Sequence, residues 1–142
     1  MRFTQACFIR RNTIELRNKL EDLGYKYGGA ERTYGEPTCL YCNMGRYYEC
    51  VQKPSRDVSI IECDDNEELF IALAALRYDT NDNQWFIAQR TMWDENYNGE
   101  ITVYYEEGEW LLWDYYTFME DMPSDFRKAT VQEIIEHFGW RC

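Results

Sequence analysis

Val58-Ser59-Ile60-Ile61-Glu62-Cys63-Asp64-Asp65-Asn66-Glu67-Glu68-Leu69-Phe70-Ile71-Ala72-Leu73-Ala74-Ala75-Leu76 changes periodicity within a few residues. Its first third is a short β-branched run, the pattern of a strand. Its last third is apolar on every side of a helix, which implies burial on most sides. Between them, Asp65-Asn66-Glu67-Glu68 places a capping side chain three residues ahead of Glu68. In a capping box the first side chain accepts an orphan helix N–H, and the Glu reaches back to the cap's own N–H. The spacing predicts a strand over 58–63 running into a helix over 66–77.

The same signature recurs on both sides of this stretch. Asn12-Thr13-Ile14-Glu15 predicts a helix over 13–23, with Leu16, Leu20 and Leu23 on its dry face and Gly24 to end it. Thr130-Val131-Gln132-Glu133 predicts another over 130–138, carrying Ile134, Ile135 and Phe138 inward. Strands are expected at 6–9 and 84–89. Two hairpins are expected, 38–42 with 46–51 about Asn43-Met44-Gly45, and 100–105 with 110–115 about Glu106-Glu107-Gly108-Glu109. Large residues occupy both faces of the second hairpin, so a helix or a partner should cover at least one. The order β-α-β-β-β-α-β-β-β-α gives an α+β class, a largely antiparallel sheet with three helices, in one domain spanning 1–142. Residues 53–57, with Pro54, form a connector. Glu15, Leu16, Leu20, Leu23 and Tyr25 recur as Glu68, Leu69, Leu73, Leu76 and Tyr78, which is either a duplicated strand–helix unit (6–25 and 59–78) or two helices obeying the same rules.

Charge is the most informative composition. Of the net −11, residues 1–56 contribute +4 (ten Lys/Arg, six Asp/Glu) and residues 57–142 contribute −15 (five and twenty). From Thr91 to Phe126 there are ten acids and no base. That field repels phosphate backbones and anionic lipid and attracts basic surfaces. Half of the aromatics fall between Tyr78 and Phe118, interleaved with those acids. Tyr and Trp anchor interfaces, and clustered carboxylates steer cationic partners. Asp94, Glu95, Tyr97, Glu100, Glu106, Glu107, Glu109 and Trp110 are therefore the candidate partner-binding residues. The competing reading makes the aromatics a sheet core and the acids its wet edge.

Other chemistry is thinner. Cys39-Leu40-Tyr41-Cys42 is a C-x-x-C, and a two-residue turn at Met44-Gly45 would set Cys39 opposite Cys50. Cys39, Cys42 and Cys50 are thus candidate structural zinc ligands, against ordinary reduced thiols or disulfides. Cys7 and Cys63 read as core strand residues, and Cys142 is terminal. Asp94-Glu95-Asn96-Tyr97-Asn98-Gly99 matches the start of a calcium loop, but the twelfth position is Tyr105 where a bidentate Glu is needed. Asn98-Gly99 between strand-like runs is also a hairpin turn. Asp79-Thr80-Asn81-Asp82-Asn83 fails sooner, with Gln84 at the Gly position. The lone His137 suits the negative end of its helix better than base catalysis. Acid pairs such as Asp64/Asp65 and Glu106/Glu107 could do acid–base work in a small enzyme, yet caps and turns explain them. No catalytic residue and no cofactor is assigned.

Residues 6–20, 66–77 with 84–86, and 128–138 resemble small uncharacterised proteins of gut bacteria, their phages and mobile elements. The resemblance implies a phage or mobile-element accessory protein and transfers no active site. No apolar run approaches the ~18 residues of a membrane helix, and no long apolar stretch opens the chain, so the expectation is a cytoplasmic protein. The expected function is a non-enzymatic interaction module that presents an acidic–aromatic surface to a basic partner, in its specific form a mimic of DNA charge.

Overall fold

A computed structural model describes residues 3–28, 37–43, 45–51, 59–80, 82–113 and 126–139. The elements are β1 (Cys7–Ile9), α1 (Ile14–Leu23), β2 (Lys26–Tyr27), β3 (Cys39–Cys42), β4 (Tyr47–Val51), β5 (Ile61–Glu62), α2 (Glu67–Ala74), β6 (Trp85–Ala88), β7 (Met92–Glu95), β8 (Ile101–Tyr105), β9 (Trp110–Leu112), β10 (Phe126–Lys128) and α3 (Val131–Gly139). The class is α+β, and every element expected from the sequence is present in the expected order. Strands β2, β7 and β10 are additional. Val58, the 53–57 connector, Asn81, residues 114–121 of the acidic–aromatic stretch and Cys142 lie outside the described residues. The chain clusters into two compact units, Met1–Thr80 with Val131–Cys142, and Asn81–Thr130.

The first unit is a mixed five-stranded sheet in the order β2-β4-β3-β1-β5. β1 pairs antiparallel with β3 and parallel with β5. Helix α2 packs on β1 and touches both α1 and α3. It buries Leu69, Phe70, Ala72, Leu73 and Ala74, as a helix without a polar face must. Asn66 joins two helices. Its Oδ1 accepts from Leu69 N–H at the start of α2, and its Nδ2 donates to Phe138 O at the end of α3. The Tyr25 hydroxyl donates to Ala74 O at 2.7 Å, and the Tyr25 ring stacks on Phe3.

Both caps differ from the expected boxes by one residue. Thr13, not Asn12, caps α1, and Asn66, not Asp65, caps α2. In each case the neighbouring side chain also has a capping oxygen, and the register of the apolar face decides between them. Asn12 instead donates to Pro37 O, leaving its Oδ1 buried without a partner. Gly24 ends α1 in the left-handed region, its N–H reaching Leu20 O and Glu21 O. The strand–helix echo stops short of its last member, since Tyr25 is buried and Tyr78 is exposed.

The second unit holds an antiparallel sheet, β10-β6-β9, and a two-stranded ribbon, β7-β8. Phe86, Ala88, Trp113 and Phe126 form its core, with Met92, Tyr105 and Leu111 packed against them. The expected hairpin between 100–105 and 110–115 does not form. Its turn closes, Glu109 N–H donating to Glu106 O, but Gly108 N–H donates to Ala88 O and Ala88 N–H to Glu109 O. The turn therefore binds β6, and β9 follows it there while β8 pairs with β7.

Candidate docking ribbon

The ribbon is built by its own turn. Asn96 N–H donates to Glu100 O, and Asn96 Oδ1 accepts from the N–H groups of Asn98 and Glu100. Gly99 takes a φ of +77°, which its missing Cβ makes cheap. The oxygen of Asn96 that a calcium loop would aim at the ion is thus spent on backbone donors. Asp94-Gly99 is a hairpin turn.

Pairing sorts the ribbon's side chains by face. Trp93 lies opposite Val103, and Glu95 opposite Ile101, with an irregularity between Met92 and Trp93. Opposed residues share a face and alternate residues return to it. Tyr105, Val103 and Ile101 therefore form one stripe on β8, flanked by Met92, Trp93 and Glu95 on β7. At its base Met92 and Tyr105 pack into the core of the second unit. Farther out the stripe runs into solvent, with Trp93 56%, Val103 49% and Ile101 63% exposed. Asp94, Thr102 and Tyr104 occupy the other face, and Tyr97 stands fully exposed at the tip.

The eight residues singled out from the sequence fall in three places. Asp94, Glu95, Tyr97 and Glu100 sit at the outer end of the ribbon. Glu106, Glu107 and Glu109 line the turn after β8, around a hollow of about 540 Å³ that Val103 and Tyr104 also border. Trp110 belongs to β9, half-buried and edge-on to Trp85, so it supports the sheet instead of facing outward. Among the described residues no cation pairs with any of these six carboxylates; the ion pairs described are Arg10 with Glu62 and Asp64, Arg11 with Glu67, and Arg77 with Asp79. Arg10 and Arg11 thus neutralise acids of their own unit. Ile101 and Val103 were not among the sequence candidates, though their spacing beside Trp93 carried the signal.

The thiols do not assemble as a zinc site would require. Cys39 pairs with Val51 and Leu40 with Cys50, one residue off the register of a two-residue turn. Asn43 N–H donates to Tyr47 O, so the loop is longer by one residue, and such a slip moves every side chain to the other face. Cys39 and Cys42, three apart on a strand, also point to opposite faces. Among the described residues no group of three His, Cys, Asp or Glu side chains could hold a metal ion.

A second hollow, of about 570 Å³, lies between the start of α2 and α3. Of the acids bordering it, Glu62 and Asp64 face Arg10, at 2.6 and 4.0 Å. Asp64 also takes a positive φ and accepts Arg10 N–H at its carbonyl, so the Asp64/Asp65 pair serves a turn into the helix. His137 sits in the last turn of α3, edge-on to Phe138. Among the described residues no helix is long and apolar enough to cross a membrane. In comparisons with protein families, curated proteins and solved structures, nothing matches this chain.

Proposed function

We propose that this chain is a non-enzymatic interaction module whose β7–β8 ribbon docks a basic protein surface. One observation carries the reading: an apolar stripe leaves the core as Met92 and Tyr105 and continues into solvent as Trp93, Val103 and Ile101, beside carboxylates that pair with no cation among the described residues. Apolar side chains exposed in a row are a docking feature, because each stays in unfavourable contact with water until a partner covers it. The carboxylates of Asp94, Glu95 and Glu100 at the tip, and of Glu106, Glu107 and Glu109 at the turn, supply the long-range attraction and reject anionic partners. A surface that grips phosphates offers the complementary mixture, so the partner we favour is a basic protein face that otherwise holds nucleic acid. The resemblance to phage and mobile-element proteins fits such an accessory role in the cytoplasm.

The test uses a defined probe, a synthetic peptide alternating Lys and Leu, with oligolysine of equal charge and a DNA duplex as controls. The Lys/Leu peptide binds better than oligolysine, and the duplex does not bind. The double variant Trp93→Ser/Ile101→Ser weakens the Lys/Leu peptide by about tenfold or more, the cost of losing an interface anchor. Raising salt from 50 to 500 mM, conditions chosen to shorten the screening length from roughly 14 Å to 4 Å, weakens it further. Equal binding by the variant, or affinity indifferent to salt, overturns the reading.

A further inference from the structure

Two thiols at the centre of the five-stranded sheet carry an inference independent of the ribbon. Cys7 on β1 is directly opposite Cys42 on β3 in an antiparallel ladder. Phe8 O accepts from the N–H of Cys63, just after β5, so alternation turns the peptide groups of Cys7 toward β3. That makes Cys7/Cys42 a hydrogen-bonded pair, with Cα atoms about 5.5 Å apart in the usual ladder. Disulfides span Cα separations of roughly 4.4–6.8 Å, so the pair lies within bridging range, and a local closing of the two strands brings the Cβ atoms to the roughly 3.5–4.5 Å that the bond needs. Both side chains project to the face covered by α2, where Cys7 Sγ lies 3.9 Å from Phe70 O. Both are fully buried. The other described cysteines are placed differently: Cys39 points to the opposite face, Cys50 stands opposite Leu40, and Cys63 reaches Ile61 O.

We propose that Cys7 and Cys42 are a redox-dependent disulfide site that ties β1 to β3, with a small disulfide such as glutathione disulfide as oxidant. One cysteine thiolate attacks the oxidant's S–S bond, forming a mixed disulfide and releasing one glutathione thiolate. The second cysteine thiolate attacks the protein-bound sulfur of that mixed disulfide and expels the other glutathione thiolate. The two cysteines give up two electrons and two protons, and the oxidant becomes two molecules of glutathione. Burial, reinforced by the neighbouring thiol, pushes the Cys7 thiol well above its usual range and keeps it protonated in the closed sheet. β1 and β3 are inner strands, so the bond forms during folding or when the sheet opens, and the closed sheet then shields it from exchange.

The experiment refolds the reduced whole protein with a glutathione/glutathione disulfide mixture, blocks remaining thiols with an alkylating agent, and maps the digested peptides by mass spectrometry. The expected product has the circular dichroism of the reduced protein, a Cys7–Cys42 linked peptide and every other mapped cysteine alkylated. Its urea midpoint is higher than that of the reduced form and falls back on reduction. Oxidation of the folded protein speeds up in sub-denaturing urea. A Cys39→Ser/Cys50→Ser variant keeps the linked peptide, and Cys42→Ser loses it. A different dominant pairing, no internal bond, or a linked species without the native spectrum overturns the proposal, and the wild-type map decides even if a variant fails to fold.

Discussion

β1 and β8 are both largely apolar strands, and they meet opposite fates. Every residue of β1 is buried, its Cys7 side facing α2 and its edges held by β3 and β5. Four of the five residues of β8 are exposed, and its described ladder has β7 alone. The three helices among the described residues belong to the first unit, where each supplies an apolar face for the sheet or for another helix. The comparison teaches that strand composition does not decide burial here. What decides it is whether a neighbouring element offers an amphipathic face, and among the described residues β8 has no helix packed on it.

The largest test of that contrast is stability. Phe70→Ala, at a position with no exposure, should cost about 3–5 kcal/mol in chemical denaturation. Trp93→Ala on the ribbon should change stability by less than about 0.5 kcal/mol, although it removes a larger side chain. Comparable losses at both positions would break the contrast.

Alkaline pH comes next. Burial pushes the thiols of Cys7 and Cys63 above their usual range, and burial with the charge of Glu21 pushes Tyr48 up to about 12. These groups stay protonated in the folded state after the unfolded chain has released its protons. Their contribution is complete below the unfolded thiol value of roughly 8.5 and is lost as pH rises through the folded values. Stability of the first unit should fall by about 1.4 kcal/mol per pH unit for each group ionised only on unfolding. Urea midpoints at several pH values check this, and Cys63→Ala should shallow the slope.

Smaller still is Asn66→Ala, which removes both the α2 cap and the tie to α3, about 1–2 kcal/mol in the same assay. Smallest are Asp94→Asn, Glu95→Gln and Glu100→Gln together, expected within about 0.5 kcal/mol of the parent because these exposed acids pair with no cation among the described residues. A marked destabilisation there would assign the tip carboxylates to the fold instead of to a partner.

How much of this was legible follows from the same contrast. Helices announce themselves locally, through caps and a 3.6-residue period, so α1, α2 and α3 were readable to within a few residues. Strand partnership is not local. The turn at 106–109 was readable from Gly108, but its bond to Ala88, far upstream, sends β8 and β9 to different sheets. The 39–42/47–51 register turned on a single loop residue. β7 escaped notice because Asp94 and Glu95 are poor strand formers, and because two faces, one apolar and one polar, appear only once β8 is beside it. The acids of the site were legible as composition. The apolar stripe beside them was legible only after pairing.

The most direct test is to titrate isotope-labelled protein with the Lys/Leu peptide and follow every backbone amide by NMR. The account predicts shift changes concentrated at residues 92–105, extending into the 106–109 turn, and suppressed in Trp93→Ser/Ile101→Ser. Changes scattered over acids throughout the chain, or centred on the first unit with the ribbon silent, would contradict it.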